Sequence, residues 1–296
     1  MRKRQIRTTA KNIIYYLAYH SGVTSLLLKA LAKTRKSHPC IILLYHRIVD
    51  DSSAYLDKGP GMHHHVYDFE KEISYLKKHY QILSIDETVA RIKSRRYFEK
   101  PTVAITFDDG YRDNFTLDGE EKISIRTKGE KRAACIELAS ALKSMPDVRC
   151  KELLQGIFER LDFHPNEAKT RMMLNWDEVR VMAGNGITFG SHSHTHPILS
   201  RMPVAEAKEE LLDSKKIIEE QLGQQVKHFA YPNGRIEDFS EELRNYSENI
   251  GFESVASVIH GSNNSVNGNQ YSLRRITATS PVWLFAAALL RFSVKN

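Results

Sequence analysis

The sequence is poor in cysteine, with Cys40, Cys135 and Cys150 among 296 residues. An odd number without regular spacing argues against a disulfide framework and against a cysteine-based zinc site, and it suits a reducing compartment. No apolar run near the start is long enough to cross a bilayer. Residues 13–28 lack Lys, Arg, Asp and Glu, but that is 16 residues interrupted by His20-Ser21-Gly22, against about 20 for a span. Acidic residues are absent from residues 1–36, where nine Lys or Arg stand. The formal charge of +7 belongs to that segment, because the remainder holds 34 basic against 36 acidic residues. A nucleic-acid-binding domain carries its positive charge on the folded face, so nucleic acid is not an expected partner. No internal repeat is visible. A composition of 41% hydrophobic and 27% charged residues is that of a globular chain with a sizeable core.

What the N-terminal segment does contain is apolar in two pieces, Ile13 to Tyr19 and Leu26-Leu27-Leu28. They predict two short amphipathic helices broken at Ser21-Gly22. Apolar faces flanked by Lys and Arg suit peripheral contact with an anionic membrane surface through residues 1–36, and they suit packing on the domain equally well. A cleaved signal peptide is disfavoured, because Lys29 breaks the small-residue stretch Ala30-Leu31-Ala32. The expected division is a basic helical extension over residues 1–38 and one domain over 39–296. The expected location is the cytoplasm or the inner face of a membrane rather than outside the cell.

From residue 40 the pattern alternates between short apolar runs and amphipathic stretches. Cys40–Tyr45 and Thr102–Phe107 read as buried strands. Ile82–Ile85, Ile187–Phe189, His228–Tyr231, Ser254–Val258 and Tyr271–Ala278 read as further strands. Helical spacing covers Phe69–Tyr80, a stretch capped by Asp86 and ending near Lys93, and then Asn175–Ala183, Pro203–Leu222, Phe239–Asn249 and Trp283–Leu290. Such alternation implies βα units around a parallel sheet. The polar residues gather where strands end, at His46, Asp108-Asp109, His192, His196 and Asn233-Gly234, which is where a β/α barrel carries its chemistry. Residues 50–66 read as a loop, and His63-His64-His65 within it as incidental. Residues 116–132 are charged and turn-like, and Ala133–Leu142 and Cys150–Leu161 read as helices. No buried strand is expected between Asn114 and Asn175, so 116–172 reads as a mostly helical insert.

Adjacent carboxylates at a strand end, as at Asp108-Asp109, are costly unless a cation or proton separates their charges. The alternative is a solvated turn. In Gly190-Ser191-His192-Ser193-His194-Thr195-His196-Pro197, His192 and His196 have metal-ligand spacing. Two imidazoles and one carboxylate make a three-ligand site with open positions; the alternative is a chance surface cluster.

These residues carry a family resemblance. Thr106 to Tyr111 matches the T-F-D-D-G motif, and His192-Ser193 with His196-Pro197 matches the H-S/T-x-x-H-P motif, of the NodB-homology polysaccharide deacetylases (carbohydrate esterase family 4). The similarity runs from about residue 40 to 280. It implies an irregular (β/α) barrel in which Asp108 is the general base, while Asp109, His192 and His196 hold a divalent metal, usually zinc. It implies hydrolysis of an acetamide on an N-acetylated polysaccharide. The family's third motif is represented by Phe229 to Gly234, with Ala230 where an Arg is usual and Asn233 where a Tyr is usual. The backbone N–H near Asn233 is expected to serve the oxyanion, Tyr231 to belong to the substrate-binding set, and Arg275 or Arg274 to replace the missing Arg. The L-x-x-H motif that supplies the general acid, normally near the C-terminus, occurs here as Leu43-Leu44-Tyr45-His46. The chain is therefore similar to the circularly permuted branch that acts on biofilm poly-N-acetylglucosamine. It departs from the family after Asn114, where the second βα unit is missing. That departure leaves three alternatives to an active deacetylase: a degenerate carbohydrate-binding barrel, a site whose metal only holds the fold, and a metallohydrolase of another amide.

Overall fold

Cys40–Tyr45 is apolar at every position and is buried at every position as strand β1. A strand buried on both faces is the signature of the interior of a parallel sheet, and β1 has that place. It continues into β2 (Arg47–Val49), which pairs in parallel with β3 (His63–His65). Helix α3 (Val66–His79) follows, then β4 (Gln81–Ile82), α4 (Ile85–Lys93) and β5 (Thr102–Phe107). The computed structural model describes residues 2–49, 62–114, 171–266 and 268–294, together with Arg149, Glu152, Gln155 and Glu159, which are helical. The expected insert over 116–172 lies outside the described residues except at those four positions and at Arg171 and Met172.

The second half runs through α5 (Trp176–Gly184), α6 (Val204–Leu222), β6 (His228–Ala230), α7 (Glu241–Asn249), β7 (Ser254–Ala256), β8 (Arg275–Thr277) and α8 (Val282–Val294). Helices α1 (Arg2–His20) and α2 (Val23–Thr34) precede them all. One ladder has the order β4-β5-β1-β8, all parallel. Single parallel bridges extend it, from Leu273 to Ala256 of β7 and from Phe229 of β6 to Ser191. The result is an α/β fold whose strands form an arc, Ser191-β6-β7-β8-β1-β5-β4. Among the described residues no strand joins β4 to Ser191.

That opening is bridged by side chains. Asp86, in the first turn of α4, accepts from Thr188 Oγ1 at 2.7 Å and stands 3.0 Å from His228 Nε2. Asp86 therefore does not cap α4 as expected from sequence. Ser84 does, in a reciprocal capping box with Glu87. Ile187–Phe189 is likewise not a strand; only Ser191 reaches a ladder partner. Gly190 is pressed so close to β6 that a Cβ there would stand 2.8 Å from the His228 carbonyl oxygen.

His63-His64-His65 is a strand rather than an incidental loop, because β2 supplies its backbone partners. His64 is buried against Glu72 and Tyr45. Tyr45 Oη donates to Glu72 Oε2 at 2.8 Å, and His64 Nε2 lies 3.6 Å from Glu72 Oε1. Burial pushes the Glu72 carboxyl up to about 8 and the His64 imidazole down to about 4. Near neutral pH both are uncharged, so this contact is not an ion pair.

The raised carboxyl gives a stability test. Below its unfolded value, 4.5, Glu72 is protonated in both states. As pH rises toward about 8, the unfolded chain releases a proton that the folded chain keeps, and stability falls by at most about 1.4 kcal/mol per pH unit. Glu72→Gln, neutral throughout, is expected to be more stable than wild type at pH 8, with the advantage shrinking toward pH 5. Urea midpoints across that range check it; an advantage independent of pH would remove the assignment.

Candidate metal centre

The register of β1 on β5 sets Tyr45 level with Phe107. The next residue on each strand, His46 and Asp108, therefore leaves the sheet at the same edge, and Asp108 N–H donates to the Tyr45 carbonyl at 3.0 Å. Asp108 is 8% exposed and Arg275 1%. The guanidinium meets the carboxylate in a bidentate pair, 2.7 Å at each oxygen, while Arg275 Nε donates to the Ser257 carbonyl at 2.9 Å. Burial would raise the Asp108 carboxyl, but Arg275 first, then His192 and His46, outweigh it and hold the group below the usual carboxylate range. Sequence offered Arg275 or Arg274 as the replacement for the missing Arg and placed Arg275 among the oxyanion or substrate-binding residues; the structure sets Arg275 on Asp108. The Arg274 side chain lies against Gly261, and its backbone N–H donates to Asn263 Oδ1.

Asp109 takes φ 69° and Gly110 φ 66°, and this left-handed turn carries the second carboxylate toward the histidines. Asp109 Oδ1 lies 3.3 Å from His192 Nε2 and 3.3 Å from His196 Nε2. Burial opposes ionisation of Asp109, but the two imidazoles beside it hold its carboxyl far below the ordinary range. His192 Nδ1 is 2.7 Å from the Ala230 carbonyl. A carbonyl only accepts, so Nδ1 carries the hydrogen and Nε2 is left for a ligand. The neighbouring carboxylates raise the His192 pKa against the effect of burial. The pocket therefore favours positive charge, which a proton or a cation supplies.

The donor set fits a divalent metal. One carboxylate oxygen and two imidazole nitrogens lie within 4.8 Å of one another. Ligands each about 2.0–2.1 Å from a tetrahedral zinc stand about 3.3–3.4 Å apart, which matches the two Asp109–His contacts. Among the described non-glycine residues with positive φ, Asp109, Ser193, His196 and Asn233 all lie in this region, and Arg95 lies outside it. Such conformations cost of order 1–3 kcal/mol each and persist where surrounding structure over-determines them.

That surrounding structure includes residues that the sequence did not single out. Glu210 on α6 accepts from the backbone N–H of His194 and Thr195 and from Thr195 Oγ1, and Ser193 Oγ accepts from His196 N–H at 3.0 Å. Asn114 straddles the end of β1: its Nδ2 donates to the His46 carbonyl at 2.6 Å and its Oδ1 accepts from Ile48 N–H at 3.0 Å. Asp238, 1% exposed, accepts from Asn233 Nδ2 and Arg235 N–H and so fixes the turn after β6. Only a local Asn or Glu spacing hinted at any of these, because each acts through a contact distant in the chain or in an irregular turn.

His46 is half-buried, and its charge acts on both Asp108 and Asp109. Asn233 lies on the turn that leaves β6, after the Ala230 carbonyl that orients His192. Tyr231 departs from the expected substrate set. It is 2% exposed and stacks on Phe239 at 4.3 Å in a core with Phe229, Leu243 and Phe252. Strand alternation turns Tyr231 inward.

Three comparisons bear on this arrangement. A family model described as polysaccharide deacetylase matches residues 160–255. A putative polysaccharide deacetylase, YxkH of Bacillus subtilis strain 168, is 24% identical over 248 residues, 83% of this chain and 74% of that protein. Among solved structures, the deacetylase PplD of Streptococcus pyogenes, in complex with acetate, superposes with TM-score 0.60 at 19% identity, covering 88% of this chain and all of that one. IcaB from Ammonifex degensii gives TM-score 0.56 at 16% identity over 86% of this chain and 98% of that one. At these identities the structural likenesses establish the fold.

Gly190 offers a test of how closely the site depends on β6. In Gly190→Ala the added methyl meets the His228 carbonyl at 2.8 Å, which forces Ser191 off its bridge and moves His192. Overpacking of this kind costs about 1–3 kcal/mol. The expected result is a lower melting temperature together with weaker zinc retention on dialysis. Unchanged values of both would show that the contact is not constraining.

Proposed function

We propose that this chain, similar to the polysaccharide deacetylases over residues 160–255 and along most of its length to a putative polysaccharide deacetylase, is a hydrolase of non-peptide carbon–nitrogen bonds that removes acetyl groups from an N-acetylated polysaccharide using a divalent metal, zinc by donor preference. The observation that carries this reading is the convergence of Asp109, His192 and His196 beside a carboxylate kept ionised by a buried arginine.

In this reading Asp109, His192 and His196 hold the ion. When bound, it polarises the acetamide carbonyl and lowers the pKa of a water. Asp108 is the general base. Its pairing with Arg275 does two things: it keeps the carboxylate charged at neutral pH and fixes its plane, so that the proton from the attacking water goes to a positioned oxygen. The backbone N–H at Asn233 would serve the oxyanion that develops as the carbonyl carbon becomes tetrahedral. His46, its main chain clamped by Asn114, donates a proton to the leaving amine, and acetate and a free amino sugar result. The base must be ionised and the acid protonated, so the rate is expected to be bell-shaped in pH.

The direct test is acetate release from N-acetylglucosamine oligomers with added zinc. Asp108→Asn and His46→Ala are each expected to lose about 100-fold or more, and metal-stripped protein is expected to be inactive until zinc is restored. Equal rates for wild type and Asp108→Asn would reject the roles assigned here. The open arc between β4 and Ser191 favours one second reading, a deacetylase-like carbohydrate binder; oligomer binding with no acetate release in the zinc-loaded wild type would select it.

Arg275 gives a sharper prediction. Arg275→Lys keeps one positive charge but loses the bidentate geometry, so the Asp108 carboxyl should rise and the acid limb of kcat/KM should move upward by about one pH unit. Arg275→Met leaves a buried carboxylate unpaired, at a cost of about 3–5 kcal/mol. An acid limb at the same pH in wild type and Arg275→Lys would separate Arg275 from the tuning of Asp108.

A further inference from the structure

Helix α2 is apolar on two faces. Thr24 and Leu28 point into the molecule, where Leu28 is 2% exposed and packs in a core with Phe285, Leu289 and Leu76. Val23, Leu26 and Leu27 point outward, and Leu26 is 68% exposed. Helix α1 carries a matching outward stripe at Ile13, Ile14 and Leu17, with Ile14 61% and Leu17 58% exposed. The inner face accounts for the packing of the extension on α3 and α8. The outer stripes have no such account. Positions i, i+3 and i+4 on α2 and i, i+1 and i+4 on α1 form apolar faces turned to solvent, and large side chains gathered in this way mark an interaction surface.

The charge around these stripes identifies the kind of partner. Residues 1–36 carry nine Lys or Arg and no acidic residue. Lys11, Lys29 and Lys33 are exposed on the same two helices. Arg35 is engaged elsewhere, donating to the carbonyls of Ser293 and Val294. A second copy of the chain laid on this surface would bring two such all-positive segments together, and like charges resist that contact. A layer of anionic lipid headgroups receives the lysines with favourable sign while the apolar stripes enter the acyl boundary. Among the described residues no helix is long and apolar enough to cross a membrane, so the contact is with the surface.

We propose that α1 and α2 dock this protein on an anionic lipid bilayer through Ile13, Ile14, Leu17, Val23, Leu26 and Leu27, with the flanking lysines supplying electrostatic attraction. The proposal is independent of the deacetylase reading. It concerns a different face, and it stands or falls with measurements that do not involve acetate.

The experiment is co-sedimentation of the full chain with large vesicles, either phosphatidylcholine alone or phosphatidylcholine mixed with phosphatidylglycerol. Partitioning is expected to be about 10-fold or more stronger with phosphatidylglycerol and to weaken as salt rises. The double variant Leu26→Asp/Leu27→Asp is expected to lose this binding by a similar factor while melting like wild type, since both side chains are already in solvent. Lys11→Glu/Lys29→Glu is expected to fall to the level seen with phosphatidylcholine alone. Equal partitioning to the two vesicle types overturns the proposal. So does retention of binding by both variants. A wild-type dimer in light scattering that Leu26→Asp/Leu27→Asp converts to monomer, without vesicle binding by either, would assign the face to self-association instead.

Discussion

Asp108 retains its charge in the interior because Arg275, itself buried, lies within hydrogen-bonding distance of both its oxygens. An isolated carboxylate at that depth would take up a proton or destabilise the fold. The pair also orders what is around it. It fixes the carboxylate beside Asp109, so that negative charge accumulates where His192 and His196 arrive, and the raised pKa of His192 is a direct result. The preference of the pocket for a cation therefore begins with a contact in which no metal ligand takes part. Ala230 stands where the motif that Phe229–Gly234 resembles carries an arginine, and β8, which pairs with β1, provides the guanidinium.

The backbone is arranged to the same end. Asp109, Ser193, His196 and Asn233 adopt left-handed conformations at strand ends, each against its intrinsic preference. The carboxylates of Glu210 and Asp238 accept hydrogen bonds at the turns that hold Ser193, His196 and Asn233. Conformational cost at this edge is offset by hydrogen bonds drawn from helices and loops behind it, so the geometry of Asp109, His192 and His196 is held by residues outside that trio.

Some of this was legible in the sequence and some was not, for physical reasons. Strands β1 and β5 were readable because burial on both faces requires continuous apolar runs, and Asp108, Asp109, His192 and His196 were readable because they follow such runs in family motifs. Ile187–Phe189 has the same look, yet no strand flanks it among the described residues on the side of β4, and it stays irregular. His63–His65 shows the reverse: three imidazoles carry no strand signal, and pairing with β2 imposes the conformation. Ser84 and Glu87 form a capping box that composition does announce; reading Asp86 as the cap overlooked it, and Asp86 is engaged across the opening of the arc by Thr188 and His228. Tyr231 was misplaced because a motif position says nothing about which way alternation turns a side chain. The roles of Asn114, Glu210 and Arg275 rest on contacts remote in sequence, which periodicity cannot reveal.

The order in which the chain emerges from the ribosome gives the placement of Arg275 a temporal meaning. The ligand trio is complete once His196 has been made, and His46 has by then long been available. The partner of Asp108, however, stands at position 275 of 296 and reaches its place only when β8 adds to the free side of β1. A nascent chain that ends before β8 would already hold Asp109, His192 and His196 and still lack the guanidinium that pairs with Asp108. The counter-charge of the buried carboxylate is thus withheld until β8 is inserted.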